Sequence, residues 1–302
     1  MASSPLVSVI IPVRNGGDSI RSCLTSLAGV DYPADRREIV VVDNGSTDKT
    51  AEIVRGFPVS YVTAFERRGA PAARNAGIRA AQGEILAFTD ADCAVTRGWL
   101  RAMVQAFDAP EVGAVAGEIL PYPPKTAAER YASRIRHLSP QKYLARPRLP
   151  FAVFANLAFR RTVFDRIGLL DEHLIQGDST DFCTRFVRGT GLKLAYVPQA
   201  IVFHRHRATT WDFLAQQWNY GRGHALLYIK YRDEIPWGWR QTLQAYRDLG
   251  RAAGALAASG FRPGRDTRRR EEISFRYFEL LKRIAERLGF IRQSLAEGYL
   301  YL

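Results

Sequence analysis

The sequence predicts an α/β protein: a mostly parallel, doubly wound sheet flanked by helices, followed by a helical C-terminal extension. Short apolar runs rich in β-branched residues alternate with segments of helical periodicity, an alternation that is typical of parallel sheets. Polar and charged residues stand where several of these runs end. Ligands of open α/β sheets bind at the carboxyl ends of the strands, so the pattern also predicts a site at that edge.

The predicted elements follow one another from Val7 onward. The apolar runs predict buried strands at 7–13, 39–42, 59–62, 85–88, 112–118, 192–197 and 201–203. Helical spacing predicts helices at 19–27, 70–81, 127–138, 237–258 and 273–296, one that ends at Arg55 and one that begins at Thr209. Glycine, asparagine and proline between these segments are turn residues, so the elements are well separated.

The charge of the chain is strongly positive and uneven. The net charge is +13; residues up to His204 include 25 basic and 20 acidic side chains, and the remainder includes 18 and 10. A basic C-terminal third suits nucleic acid, anionic lipid or a phosphorylated substrate, although a merely soluble arginine-rich surface explains it equally well. No basic helix interleaved with base-stacking aromatic residues stands out, so no nucleic-acid partner is expected.

The cysteines and the hydropathy pattern indicate a compartment. Cys23, Cys93 and Cys183 are odd in number and far apart, which indicates reduced thiols rather than a disulfide framework or a zinc site. The N-terminus lacks the features of a signal peptide, and no apolar stretch approaches the roughly 20 residues that span a bilayer. We therefore expect a cytoplasmic protein whose only membrane contact is peripheral, at the inner face.

The central chemical motif is the stretch from Gly83 to Cys93. Its buried run, 85–88, leads to two carboxylates with one residue between them, Asp90 and Asp92. Two acids on backbone that leaves a strand can hold a hard divalent cation against a diphosphate. The alternative is an aspartate-rich surface turn, which is common.

Two further positions suggest that a nucleotide binds at the same edge. Asp43 ends the second predicted strand, where a carboxylate can bind a base or ribose, and Arg74 can place a guanidinium against phosphate. A turn-capping aspartate and a solvated arginine are the structural alternatives. The chain has neither Gly-x-Gly-x-x-Gly after its first strand nor a P-loop, which argues against an ordinary NAD-binding protein or a P-loop NTPase.

Four motifs in order give the sequence a family resemblance. They are Val-Ser-Val-Ile-Ile-Pro-Val-Arg-Asn, Val-Val-Val-Asp-Asn-Gly-Ser-Thr-Asp, Gly-Ala-Pro-Ala-Ala-Arg-Asn-Ala-Gly and Phe-Thr-Asp-Ala-Asp. With them, roughly residues 5–225 resemble a family 2 glycosyltransferase of the Rossmann-like GT-A fold. The resemblance implies a nucleotide-diphosphate-sugar donor, with a UDP-sugar favoured, and an inverting transfer.

The resemblance also implies a donor site. Asp90 and Asp92 would be the Asp-x-Asp pair that holds Mn²⁺ or Mg²⁺. His204 follows a strand near the position where the family places a histidine close to the metal, so it is a candidate third ligand, although a lone histidine there is most often structural. The implied nucleotide-binding residues are Pro12, Arg14, Asn15, Asp43, Arg74 and Asp90.

The stretch from Gly177 to Asp181 resembles the family's Gly-Glu-Asp-x-Asp, which usually carries the catalytic base. An inverting transfer needs a carboxylate that accepts the proton of the acceptor hydroxyl. Ser179 stands where the second acid of the pair is usual, and an unaided serine cannot serve as that base. We therefore expect Asp178 to be the catalytic base and Asp181 to support the site, with loss of catalysis as the alternative.

The acceptor side carries fewer motifs. By resemblance, Asn156 is a candidate acceptor contact, while Trp218 and Arg222 lie in a segment that closes over the diphosphate and acceptor in related enzymes. A hydrogen-bonded asparagine at a strand end and a tryptophan in the core are the structural alternatives. Residues 141–150 are basic and contain proline, so we expect a mobile loop near the acceptor.

These expectations combine into two regions. The first, 1–231, is a catalytic domain with a donor half, 1–120, and an acceptor half, 121–231; the second, 232–302, is a basic helical extension with a linker at 262–270. The apolar seam of its last helix suits packing on the catalytic domain, pairing with another helix, or a membrane interface, so the oligomeric state stays open.

The predicted function is metal-assisted, inverting transfer of a sugar from a nucleotide-diphosphate sugar to a hydroxyl acceptor. A glycan, a lipid-linked glycan and a polysaccharide are the expected acceptor classes. The alternatives are a nucleotide-sugar-binding scaffold that has lost catalysis and a sugar nucleotidyltransferase.

Overall fold

The computed structural model describes residues 4–136, 138–145, 150–174, 176–235, 237–260 and 267–300. The chain divides into two compact units. The first, here called the sheet unit, comprises Met1–Tyr122, Leu138–His173 and Asp178–Arg205. The second, here called the helical unit, comprises Pro123–His137, Leu174–Gly177 and His206–Leu302.

Within the described residues, eight strands form one sheet in the sheet unit. In chain order they are β1 (Val7–Val13), β2 (Arg37–Asp43), β3 (Ser60–Thr63), β4 (Ile85–Thr89), β5 (Cys93–Val95), β6 (Val112–Pro121), β7 (Asn156–Arg160) and β8 (Lys193–His204). Their order across the sheet is β3-β2-β1-β4-β7-β6-β8-β5. The first four strands are parallel to one another, as the sequence predicts. β7 runs antiparallel to both β4 and β6, and β5 runs antiparallel to β8.

The helices connect these strands or form the helical unit. They are α1 (Ile20–Ala28), α2 (Thr50–Arg55), α3 (Ala70–Ala80), α4 (Trp99–Gln105), α5 (Ala127–Ile135), α6 (Pro140–Leu144), α7 (Arg161–Ile167), α8 (Asp178–Thr190), α9 (Thr210–Lys230), α10 (Trp239–Gly260) and α11 (Thr267–Ala296). In the described part of the chain, none of them combines the length and the apolar character that crossing a bilayer requires.

The sheet is buried on both faces, which explains why its strands are nearly continuous apolar runs. Alternate residues of β1 enter two different cores: Val9 and Ile11 pack on the face covered by α1 and α4, and Ile10 packs on the opposite face. That second core contains buried residues of α3, α7 and α8. The strand ends are thereby held in place, and the loops that leave them carry the polar residues.

The helical unit depends on a close crossing of α9 and α11. A Cβ atom at Gly221 would lie under 3.0 Å from the backbone of Glu286, and one at Gly289 would lie under 3.0 Å from the carbonyl oxygen of Trp218. Glycine at both positions therefore lets the two backbones touch. The N-terminus of α5 is closed by a capping box between Thr126 and Glu129.

Some boundaries differ from the predicted ones. The two strands predicted between 192 and 203 form one strand, β8, because a register shift against β6 accommodates the irregular stretch between them. α11 begins at Thr267, inside the predicted linker, since 267–270 are residues that form helix readily; residues 262–266 lie outside the described ranges. Part of the predicted loop 141–150 is helix α6, and residues 146–149 also lie outside those ranges.

The division into units also differs from the predicted boundary at Tyr231. α9 belongs to the helical unit although the sequence prediction places it in the catalytic domain. The reason is its packing, since α9 lies against α11 at the two glycine contacts just described.

Candidate active site

The predicted donor residues meet at one edge of the sheet unit. Asp43 is the last residue of β2, Arg14 directly follows β1, and Asp90 directly follows β4. These three strands are adjacent and parallel, so their carboxyl ends lie side by side. The topology thus brings together residues that are far apart in the sequence, at the edge where such sheets bind ligands.

Asp43 anchors the loop after β2. Its Oδ1 accepts a hydrogen bond from the backbone N–H of Ser46 at 2.8 Å, and its Oδ2 accepts one from the Tyr61 hydroxyl at 2.6 Å. Burial, the hydrogen bond to Asp43 and the charge of that carboxylate raise the pKa of Tyr61 to about 12. Tyr61 is therefore a neutral donor at physiological pH, and it fixes the carboxylate.

The loop after β1 is tied to the same place. Asn15 has φ of 52°, in the left-handed region that asparagine tolerates. Its Oδ1 accepts from the backbone N–H of Thr47 at 2.8 Å, and its own N–H donates to the Ser46 hydroxyl. Pro12 is partly buried and Arg14 is exposed. The arrangement is a hydrogen-bonded frame beside the exposed guanidinium of Arg14.

Arg74 is the centre of the charged cluster. From α3, its Nη1 donates to Asp178 Oδ2 at 2.6 Å, and its Nη2 donates to Asp90 Oδ1 at 2.9 Å. The side chain is 7% exposed, and its guanidinium carbon lies 4.8 Å from the centre of the Phe154 ring. The two acids that the sequence assigns to metal binding and to proton transfer therefore share one arginine.

Asp178 occupies the first turn of α8. Burial raises the pKa of its carboxyl above the ordinary aspartate value, against the opposing effect of the Arg74 charge. The hydrogen bond from the Ser179 backbone also opposes the rise, and the Asp90 charge adds to it. A buried carboxylate with a raised pKa is more basic than an exposed one, which suits proton abstraction.

Ser179 and Asp181 face elsewhere. The Ser179 hydroxyl accepts a hydrogen bond from the backbone N–H of Phe154 at 3.4 Å. Asp181 is 0% exposed, and its Oδ2 binds Arg185 at 3.0 Å. Arg185 in turn donates to the carbonyls of residues 167 and 169. Asp181 thus holds α8 against the preceding loop.

A second cluster lies where β5 begins and β8 ends. Asp92 Oδ1 is 3.4 Å from His204 Nε2, and the Cys93 Sγ is 3.9 Å from the same oxygen. One ligand atom from each of the three residues lies within 4.8 Å of the others. Carboxylate, imidazole and thiol are all metal donors, so the residues fit a divalent cation. Asp90 is outside this cluster of three, with its Oδ1 on Arg74.

Asn156 is completely buried at the start of β7. Its Nδ2 donates to the carbonyls of Glu118 and Ala200, both at 2.8 Å, and its Oδ1 accepts from Trp99 Nε1 at 2.8 Å. The amide joins β6, β8 and α4, and it has no surface for an acceptor. The structure favours the structural alternative for this residue.

The remaining acceptor-side candidates belong to the helical unit. Arg222 Nε donates to the Gln293 side chain at 2.9 Å, and the Trp218 backbone contacts α11 at Gly289. Both residues take part in joining α9 to α11. In the part of the chain that the structure describes, their observed contacts are those of helix packing.

Asn75, to which the sequence pattern assigns no role, is 1% exposed. Its Oδ1 accepts from the backbone N–H of Leu170, and its Nδ2 donates to the Leu170 carbonyl and to Glu172. Asn75 thereby holds the loop before Asp178 beside the helix that carries Arg74. Asn75 directly follows Arg74 in the motif Gly-Ala-Pro-Ala-Ala-Arg-Asn-Ala-Gly, and this position is the feature of the sequence that could have indicated its role.

An α/β sheet with acids at the carboxyl ends of β2 and β4 and an antiparallel strand beside β4 is the architecture of the GT-A fold. Two solved structures show the same fold. A mannosyltransferase of Pyrobaculum calidifontis, solved with GDP-Man and Mn²⁺, superposes with a TM-score of 0.64 at 24% identity and covers 95% of this chain and 88% of its own. The TarS 1–349 structure from S. aureus with UDP gives 0.52 at 18% identity, over 98% and 93%.

The family model described as glycosyl transferase family 2 matches residues 8–168, more than half of the chain. The chain belongs to glycosyl transferase family 2. Glycosyltransferase AglE of Haloferax volcanii is 35% identical over 226 residues, 72% of this chain and 73% of AglE. The pre-mycofactocin glycosyltransferase of Mycobacterium tuberculosis is 28% identical over 239 residues; the match covers 76% of this chain but spans only 48% of that relative.

Proposed function

We propose that this protein transfers a sugar from a nucleotide-diphosphate sugar to a hydroxyl acceptor with inversion at the anomeric carbon. The observation that carries the proposal is the shared pairing of Arg74 with Asp90 and Asp178. It places an acid at the donor edge and a basic carboxylate beside one guanidinium, which are the charges that such a transfer needs.

On the donor side, the frame formed by Asp43, Asn15 and Arg14 would receive the nucleotide. Asp43 is fixed by Ser46 and Tyr61, so an arriving base or ribose meets a rigid carboxylate. Of the solved structures with this fold, the Pyrobaculum calidifontis mannosyltransferase holds GDP-Man and TarS 1–349 holds UDP. These two nucleotides are therefore the first donors to test, and a UDP-sugar remains the donor favoured from the sequence.

A divalent cation would be held by Asp92 and His204, with Asp90 beside them. Carboxylate oxygens together with an imidazole nitrogen suit Mn²⁺ as well as Mg²⁺. When bound, such an ion offsets negative charge on a leaving diphosphate. Arg74 offers a second positive charge within reach of the same acid, Asp90.

Asp178 is the proposed catalytic base. As the acceptor oxygen forms its bond to the anomeric carbon, the bond from that carbon to the diphosphate oxygen breaks. The hydroxyl proton passes to a carboxylate oxygen of Asp178. Arg74 keeps that carboxylate ionised and oriented before the transfer, while burial raises its basicity.

For the acceptor we propose a glycan, a lipid-linked glycan or a polysaccharide, reached from the cytoplasmic face of a membrane. The apolar residues Trp239, Leu243 and Tyr246 recur on one face of α10 and are all exposed, Trp239 by 71%. Arg240 and Arg247 follow two of them directly. An exposed apolar face beside arginines supports peripheral contact with anionic lipid.

The thermal midpoint of the protein with UDP, GDP, dTDP or CMP, each with and without Mn²⁺, tests the donor site. A ligand of the folded state at 100 times its dissociation constant adds about 2.7 kcal/mol of stability. We expect one nucleotide to raise the midpoint, and Mn²⁺ to enlarge the rise. No rise with any nucleotide would contradict the proposed function.

Ser179 supports one competing function, a nucleotide-sugar-binding scaffold. A serine stands where the family usually has the second acid of its Glu-Asp pair, and its hydroxyl accepts a hydrogen bond from the backbone of Phe154. A scaffold would show the same nucleotide-dependent stabilisation as the enzyme. It would release no nucleotide diphosphate from a bound donor in the presence of acceptor, whereas the proposed enzyme would.

A further inference from the structure

The cluster of Asp92, Cys93 and His204 has the spacing of ligands on one small cation. Two ligands bound at 2.0–2.3 Å in tetrahedral directions lie roughly 3.4 Å apart for nitrogen and oxygen, and roughly 3.6 Å apart for oxygen and sulfur. In the structure the Nε2 to Oδ1 distance is 3.4 Å and the Sγ to Oδ1 distance is 3.9 Å. The third separation is within 4.8 Å, so modest rotations would close the set around an ion.

The backbone holds these side chains together. Cys93 is directly opposite His204 in the antiparallel pairing of β5 with β8, which places the two side chains on one face of the sheet. The Cys93 N–H donates to the Asp90 carbonyl at 3.0 Å, and the Arg205 N–H donates to the Asp92 carbonyl at 2.9 Å. Cys93 is 2% exposed and His204 is 6% exposed. The cluster is therefore buried and held in place by the backbone, and it contains a thiol.

We propose that Cys93 is a third protein ligand of this site, and that the resulting N, O and S donor set binds thiophilic divalent cations such as Zn²⁺ and Co²⁺ more tightly than Mn²⁺ or Mg²⁺. The inference deepens the proposed function, since it concerns the same metal site. On binding, the S–H bond breaks, the sulfur–metal bond forms, and the proton leaves to solvent; nothing is oxidised or reduced.

The surroundings of Cys93 make this binding depend on the cation. Cys93 is buried with its sulfur 3.9 Å from Asp92 Oδ1, and a thiol is a weaker metal donor than a thiolate. A bound dication reverses the sign of the local charge, and a coordinating thiol is then deprotonated. Soft thiolate ligands favour zinc over the hard cations that carboxylates and water suit.

Titration of the full chain with Co²⁺ alone, without nucleotide or acceptor, tests the proposal. A thiolate bound to Co²⁺ gives a charge-transfer band in the near ultraviolet. We expect the band in the unaltered protein and in Cys183→Ser, whose thiol lies in the core on the opposite face of the sheet. Cys93→Ser should lose the band, and its Zn²⁺ affinity should fall by about tenfold or more while its Mn²⁺ affinity stays unchanged.

A band that persists in Cys93→Ser, or Co²⁺ binding by the unaltered protein without a band, would overturn the proposal, as would failure to bind Co²⁺ at all. Circular dichroism and the thermal midpoint establish that Cys93→Ser is folded. If it is not, cadmium NMR of the unaltered protein reports sulfur ligation directly and needs no variant. Since no nucleotide is present, a thiolate band together with no nucleotide binding would refute the proposed function alone.

Discussion

At the scale of single residues, the charges of the site depend on Arg74. It joins Asp90 and Asp178, and the latter is 104 residues away from it in the sequence. The motif that contains Arg74 indicates a phosphate-binding arginine, but no local pattern could reveal its partner on α8. A buried arginine that loses one of two partners is costly, because an unpaired charge remains out of water.

Asp178→Asn should stop transfer while leaving nucleotide binding intact. The amide keeps the shape of the side chain and can still accept from Arg74, but it cannot take up a proton. A general base typically contributes about 10²- to 10⁴-fold in rate, so we expect a loss in that range. Release of the nucleotide diphosphate and the midpoint shift with nucleotide measure the two effects, and normal transfer by this variant would show that the base is another group.

Asp181→Asn should act on stability instead. Its carboxylate is buried against Arg185, so the variant leaves a guanidinium without its counter-charge. Breaking a buried pair of this kind costs about 3 kcal/mol, and partial exposure of Arg185 reduces that cost. Urea unfolding of both variants separates the two roles. Loss of transfer without loss of stability in Asp181→Asn would return Asp181 to the catalytic residues.

The raised pKa of Asp178 makes stability depend on pH. Between the ordinary aspartate value of 3.8 and the raised folded value, the folded protein holds a proton that the unfolded chain has released. The free energy of unfolding therefore falls as pH rises through this window. The midpoint of Asp178→Asn should lose less over the same pH range, whereas an exposed aspartate variant, Asp165→Asn, should follow the unaltered protein. Parallel curves for all three proteins would contradict the assignment.

Cys93 shows where residue-level prediction ends. The spacing of Asp-x-Asp made its two acids candidate ligands, and the family resemblance made His204 a candidate. A single cysteine has no spacing signature, and widely separated cysteines argue against a metal site. Only the pairing of β5 with β8 brings the Cys93 sulfur to His204.

At the scale of elements, the apolar runs were sufficient to predict the parallel strands. β1 and β4 start and end within a residue of their predicted bounds. β5 has three residues, too few for a periodic signal, and the short helices α4 and α7 were also missed. Antiparallel β7 lies between β4 and β6. Its place in the sheet depends on tertiary packing, which a single stretch of sequence does not encode.

The crossing of α9 and α11 gives a prediction with an internal control. Gly221→Ala would press a methyl group into the backbone of α11, and overpacking of this kind costs about 1–3 kcal/mol. Gly250→Ala and Gly254→Ala, on α10, meet nothing within 4 Å, and in a helix this exchange stabilises by about 0.5–1 kcal/mol. Urea midpoints should move in opposite directions; equal shifts would mean that the two helices are not in backbone contact.

At the scale of the whole molecule, the net charge of +13 is not spread evenly, since the third of the chain after His204, with 18 basic and 10 acidic residues, carries most of it. Sequence alone gave this asymmetry and the helical character of the C-terminal region. It does not predict which of the two units contains α9, because a helix of mixed polarity can pack on either neighbour. The two glycines that allow α9 to pack on α11 carry no periodic signal.

The basic helical unit should bind anionic vesicles in a salt-dependent way. Vesicles containing phosphatidylserine should sediment with the protein at low salt and release it at high salt, while phosphatidylcholine vesicles should not bind it, because screening shortens the reach of surface charges. Trp239→Ala should weaken binding and Trp99→Phe, a buried change in the sheet unit, should not. Equal binding to neutral vesicles would remove the electrostatic part of the explanation.

The bridge from Arg74 to Asp90 and Asp178 also has a thermodynamic consequence. The three groups carry a formal sum of one negative charge, and the charges of Arg74 and Asp90 both act on the proton affinity of Asp178. An anion that competes for the guanidinium weakens its hold on Asp178 and makes that carboxylate bind a proton more readily. By reciprocity, protonation of Asp178 makes Arg74 more available to the anion. Anion binding at Arg74 and proton binding at Asp178 are therefore thermodynamically coupled.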